Sequence, residues 1–162
     1  LNATSDLINF PTEGRLLGVD FGTKRVGFAV SSGDQKYSSP LTVWQRQTEK
    51  GDARFLKKLV EDNQPVGLVV GLPVHMSGDE GEVAAQVREY GDWMAETLSL
   101  PICYWDERFT SAKAERLLFT SDLNEKQRKA KIDKLAAHLM LQSFLDTDDR
   151  SQAPPSFPVK SE

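Results

Sequence analysis

The residues best placed to do chemistry in this chain are carboxylates. Asp20 closes the apolar run Leu16-Leu17-Gly18-Val19, and a second alternating run, Val26 to Val30, leads away after Phe21-Gly22-Thr23-Lys24-Arg25. Two such runs joined by a short glycine-containing connection predict a β-hairpin. Asp20 then sits at the end of its first strand, on a stiff element at the rim of a sheet. A carboxylate there can hold a hard divalent cation such as Mg²⁺, while backbone amides of the turn approach a phosphate. The pair Asp106-Glu107 ends a later apolar stretch, and Asp133 lies in the basic segment Lys126 to Lys134.

Side chains alternate along a strand, so Asp106 and Glu107 point to opposite faces and only one of them can readily meet Asp20. The alternation leaves open which. Three carboxylates on one rim repel one another unless cations bind between them. Two divalent ions there would relieve that repulsion, activate water and stabilise the leaving oxygen of a phosphodiester. Each residue also has a plainer reading. Asp20 can be a turn former and Glu107 an ion-pair partner of Arg108. Asp133 can pair with Lys129 or Lys134 on a solvated helix, worth a few tenths of a kcal/mol. Trp105 and Cys103 read as core residues, and His138 as packed.

Charge favours the functional reading. Residues 108–134 carry eight Lys or Arg against four Asp or Glu, within a chain whose net charge is −4. That asymmetry draws a phosphate backbone to the same rim as the carboxylates. The candidate nucleic-acid contacts are Lys24, Arg25, Arg108, Lys126, Arg128, Lys129 and Lys131.

The elements that must position these groups follow from periodicity. Strands are predicted over residues 15–20, 25–31 and about 39–46, the last weakened by Pro40. A helix spans Glu49 to Asn63, with Phe55, Leu56, Leu59 and Val60 at helical spacing and Pro65 closing it. Val66 to Leu72 is a continuous apolar run, as in a central strand covered on both faces. A second helix carries Val83, Val87, Tyr90, Met94 and Leu98 on one stripe, and residues 101–105 form a further strand. The last helices run from Ser111 to Phe119 and from about Asn124 to Leu145, the latter burying Ile132, Leu135, Ala136 and Leu139. Residues 1–14 read as a flexible leader, 15–145 as one domain, and 146–162 as a disordered acidic and Pro-rich tail. Strands followed by alternating helix and strand indicate an α/β domain with a mixed sheet, whose ligands gather at the carboxyl ends of the strands.

At 162 residues and 39% hydrophobic, the chain suits one domain with a real core. An acidic net charge argues against a nonspecific nucleic-acid coat. A single cysteine, Cys103, permits no intrachain disulfide and no zinc cluster, which suits a reducing cytoplasm. No run approaches a membrane span.

Four blocks in order resemble the YqgF (RuvX) family, the Holliday-junction-resolvase-like branch of the RNase H-like fold. They are Val19 to Gly27, Val69-Val70-Gly71-Leu72-Pro73, Asp106 to Ser111, and Lys131-Ile132-Asp133 followed by Ala136-Ala137. The first block alone also resembles the hairpin of sugar kinases and actin-like ATPases; the four together are specific. The resemblance implies an α/β, RNase H-like domain with a five-stranded mixed sheet flanked by helices. It implies a nuclease dependent on Mg²⁺ or Mn²⁺ that matures the 5′ end of the small-subunit ribosomal RNA precursor, with the precursor particle or branched DNA as partners. It also implies that Glu107, rather than Asp106, joins Asp20 and Asp133 as the catalytic and metal-binding set. One departure is His75-Met76-Ser77-Gly78, where the family pattern reads Asn-Met-Asp-Gly; substrate contacts from that loop are not carried over.

Two other classes are weighed against this reading. An ATP-using phosphotransferase would need two such domains closing on a nucleotide, and ATP binding would reveal it. A noncatalytic nucleic-acid-binding or ribosome-assembly module would have no use for the acidic set, because bare phosphate binding favours neutral or basic groups there.

Overall fold

The computed structural model describes residues 9–73, 80–106, 124–148 and 150, and within the last helix it leaves the side chains of residues 128–130 and 132–134 undescribed. The elements in chain order are β1 (Leu16–Phe21), β2 (Arg25–Ser31), β3 (Ser38–Gln45), α1 (Glu49–Asn63), β4 (Gly67–Leu72), α2 (Glu82–Leu98), β5 (Ile102–Asp106) and α3 (Glu125–Asp146). The helix expected over Ser111 to Phe119, the loop at His75, and residues 151–162 lie outside the described residues.

The five strands form one mixed sheet in the order β3-β2-β1-β4-β5. β1 pairs antiparallel with β2 and parallel with β4, and β4 pairs parallel with β5. The carboxyl ends of β1, β4 and β5 therefore share one edge. β4, the continuous apolar run, is buried along its whole length, as a strand covered on both faces must be. Pro40 is tolerated because β3 is an edge strand, and the register shifts beside it, between Phe28 and Ala29.

Local chemistry sets the helix ends. Thr48 caps α1 by accepting a hydrogen bond from the Gly51 amide, and Gln64 closes it in the left-handed conformation immediately before Pro65. α3 opens on a capping box in which Asn124 and Gln127 satisfy each other's backbone amides.

A separate apolar cluster covers each face of the sheet. Leu17, Val19, Val26, Phe28, Leu68, Val70 and Leu72 pack under α1 and α2. Leu16, Ala29, Val69, Cys103 and Trp105 pack under α3. Cys103, Trp105 and the half-buried His138 are thus packed residues, as expected.

Three details differ from the sequence reading. On α2 Val83 is 53% exposed, and the buried stripe is Ala84, Val87, Tyr90, Gly91 and Met94. Gly91 belongs to that stripe because the helix approaches β5 closely there: a Cβ on it would lie 2.5 Å from the Tyr104 hydroxyl. On α3 the fully buried residues are Ala137, Met140, Leu141 and Phe144, with Leu135, Ala136 and Leu139 only half-buried. The helix is turned so that Leu141 fills the notch above Gly18. Finally, Phe10, assigned to the leader, is 8% exposed and meets Phe144 edge-on with ring centroids 6.0 Å apart.

Candidate functional site

Asp20 is the penultimate residue of β1 and half-buried. Leu16, Gly18 and Asp20 share a face by strand alternation. Leu16 belongs to the cluster under α3, and Gly18 lies beneath Leu141, so Asp20 projects from the α3 side. Its partner on β2 is Gly27. One step beyond the Val19–Val70 pair, the neighbouring position on β4 is Gly71. Both directly neighbouring positions are thus glycines, and Arg25, two residues before Gly27 on β2, shares the face of Asp20 by alternation.

Asp106 ends β5, and the sheet resolves its ambiguity. Cys103 and Trp105 belong to the α3 cluster, whereas Tyr104 packs against the α1/α2 cluster. Asp106 follows Tyr104 by alternation and lies on the face opposite Asp20. Glu107 and Arg108 are outside the described residues. Asp133 lies within α3, but its side chain is undescribed. The C-terminal end of that helix is tied to the β2–β3 connection, where Gln142 Nε2 donates to the Lys36 carbonyl (3.0 Å) and Arg150 Nη1 to Gln35 Oε1 (2.8 Å). Among the described residues, no three His, Cys, Asp or Glu gather as a metal site.

The candidate phosphate contacts fall in two places. Lys24 and Arg25 are exposed at the turn between β1 and β2, immediately after Asp20. Lys126 and Lys131 are exposed on the first half of α3, with Arg128 and Lys129 between them in the chain.

A buried polar centre on the α1/α2 side was missed by sequence reasoning. Asp52 is only 2% exposed. Its Oδ1 accepts from Trp44 Nε1 at 2.8 Å and from the Gln47 amide at 2.9 Å. Arg46 Nε lies 4.0 Å from Oδ2. Nearby, the Tyr90 phenol is pushed up to about 12, first by burial and then by the negative charge of Asp52. The signal was present: Asp52, Leu56 and Leu59 occupy one helical stripe, so a carboxylate stands where an apolar residue would be expected, and a buried charge needs partners.

The family described as RuvX, Holliday junction resolvase, matches residues 14–147. A relative from Paracoccus denitrificans (strain Pd 1222) is 43% identical over 136 residues, covering 84% of this chain and 86% of its own length. Another, from Lactococcus lactis subsp. cremoris (strain SK11), is 43% identical over 134 residues, covering 82% and 94%. Both carry the name "Putative pre-16S rRNA nuclease". Among solved structures, T. thermophilus RuvC in complex with Holliday junction substrate aligns with a TM-score of 0.52 at 13% identity, over 88% of this chain and 99% of that one. At that identity the likeness is one of fold, and the fold is RNase H-like. With the match running through β1 to α3, the chain belongs to the RuvX family of Holliday-junction-resolvase nucleases.

Proposed function

We propose that this nuclease uses a divalent metal centre held by Asp20, Glu107 and Asp133, and that it matures the 5′ end of the pre-16S ribosomal RNA. The observation that carries the reading is the setting of Asp20: a strand-end carboxylate on the α3 face, with glycines at both flanking positions. Asp106 is turned to the other face, which supports Glu107 as the partner from β5's end. All three candidates offer hard oxygen donors, the donor type that suits Mg²⁺ or Mn²⁺. Such a metal, when bound, supplies activation of water and stabilisation of the leaving oxygen.

The chain's own groups supply placement. β1 holds Asp20 on a strand paired on both sides, so the carboxylate is preorganised. Lys24 and Arg25 stand at the adjacent turn to meet backbone phosphates, and the basic half of α3 extends that attraction. These contacts orient the substrate and carry no base information directly. The names of the relatives support ribosomal precursor RNA as the substrate, in the cytoplasm where that precursor is made.

The test is cleavage of a pre-16S 5′ fragment and of a four-way DNA junction, with and without Mg²⁺, by the wild type and Asp20→Asn. The wild type should cut the RNA fragment only with the metal. Asp20→Asn should lose turnover while binding RNA as well or better, since the site sheds a negative charge. Cleavage by purified Asp20→Asn at the wild-type rate would sink the site. Cutting of the junction alone would transfer the substrate assignment to branched DNA.

A further inference from the structure

The turn that follows Asp20 is gripped from outside the hairpin by one residue. Arg46 comes directly after β3. Its backbone amide donates to the Lys24 carbonyl at 2.8 Å, and its Nη1 donates to the Thr23 carbonyl at 3.1 Å. The guanidinium carbon lies 4.9 Å from the ring centroid of Phe21 and 4.9 Å from that of Tyr90. Phe21 is the last residue of β1, next to Asp20, and Tyr90 is in α2. Asp52, at the start of α1, stands 4.0 Å from Nε and is itself fixed by Trp44 and Gln47. One planar cation thus joins the reactive strand end to both helices of the opposite face.

This geometry is particular to arginine. A guanidinium can lie against aromatic rings while donating at its edge, whereas an ammonium offers a point charge with no plane to stack. Gly22 makes the turn sensitive to such a grip. A Cβ there would lie 2.5 Å from the Arg25 carbonyl oxygen, so the loop is wound tightly. An open cavity of about 520 Å³, lined by Phe21, Arg46, Asp52, Tyr90 and Trp93 among others, gives solvent access to the clamp.

We infer that Arg46 is a positioning residue for phosphodiester cleavage: by holding the Thr23 carbonyl and stacking on Phe21 with its side chain, it sets Asp20 on one side of the turn and Lys24 and Arg25 on the other, so that carboxylate and phosphate contacts meet the substrate in one geometry. The inference rests on the reading of Asp20 as a reactive carboxylate. Misplacing a catalytic group by about 1 Å can cost on the order of 100-fold in rate, so a clamp remote from the scissile bond can still govern turnover.

The experiment is steady-state cleavage of the pre-16S fragment by Arg46→Ala, Arg46→Lys and Asp20→Asn, each shown to be folded by circular dichroism and assayed well below its Tm. Arg46→Ala should lose roughly 10- to 100-fold in kcat, with KM changed far less. Millimolar guanidinium should restore part of that kcat by re-entering the open cavity, and should leave Asp20→Asn inactive. Arg46→Lys should fall between wild type and Ala, and it decides the matter if Arg46→Ala does not fold. A wild-type kcat in the folded variant, or a loss that guanidinium leaves unmoved, overturns the positioning role. Inactive Asp20→Asn beside an unaffected Arg46→Ala defeats this inference alone; an active Asp20→Asn defeats the nuclease site and this inference with it.

Discussion

At the scale of single residues, the site depends on the small residues around Asp20 as much as on the carboxylate itself. Gly27 is its cross-strand partner and Gly71 the neighbouring position on β4, and Gly18, two residues earlier, lets α3 settle onto the sheet. A Cβ on Gly18 would lie 2.9 Å from Leu141 Cβ, an atom fixed close to the helix backbone and unable to swing aside. Gly18→Ala should therefore cost about 1–3 kcal/mol, the usual penalty of overpacking a filled core. Gly33→Ala is the matched control, because nothing lies within 4 Å of its added methyl. Urea denaturation of the two variants checks the claim. Equal midpoints would mean that α3 has slack above β1.

At the scale of elements, α3 is the piece that brings distant sequence to β1, and its seating on β3 is titratable. His138 Nδ1 lies 3.0 Å from Ser38 Oγ, and burial holds the imidazole below the usual histidine pKa. The folded state then takes up the proton less readily than the unfolded chain. Stability from this group is fully present above the unfolded histidine value, about 6.5. It is lost as pH falls through that value toward the lower folded one. His138→Gln should flatten the decline in unfolding free energy between pH 7.5 and 5. If wild type and variant decline in parallel, the acid sensitivity lies elsewhere.

Across the whole molecule the net charge is −4, yet residues 108–134 hold eight Lys or Arg against four Asp or Glu. Lys24 and Arg25 flank the strand-end carboxylate, while Lys126 and Lys131 are exposed on α3. Nucleic-acid affinity resting on such a patch is set by counterion release. Replacing Lys126, Arg128 and Lys129 together with Ala should weaken binding for every RNA sequence tested. Each lost phosphate contact should flatten the log–log salt slope by roughly 0.7–0.9. Filter binding at several ionic strengths measures both. A triple variant with the wild-type affinity and slope would make this segment an ordinary solvated helix face.

Local pattern was enough for most of the elements. The 3.6-residue period and the Pro65 stop place α1 over the residues expected of it, and the unbroken run of β4 announces burial on both faces before any neighbour is known. The four family blocks likewise lie in short contiguous stretches, which is why the family and the fold were legible from the chain. Strand alternation says that Asp106 and Glu107 face opposite ways, but it cannot say which way, since that depends on which helix covers which face. Only the sheet, with Trp105 under α3 and Tyr104 under α2, turns Asp106 away from Asp20. The rotation of α3 is of the same kind: several apolar stripes are available on that helix, and the notch at Gly18 selects the one containing Leu141. The Arg46 clamp joins three segments far apart in the chain, around residues 21–24, 46–52 and 90, and no local rule pairs a cation after β3 with a ring at the end of β1. Periodicity is a property of neighbours in sequence, whereas facing, rotation and clamping are relations between elements that exist only once they have packed.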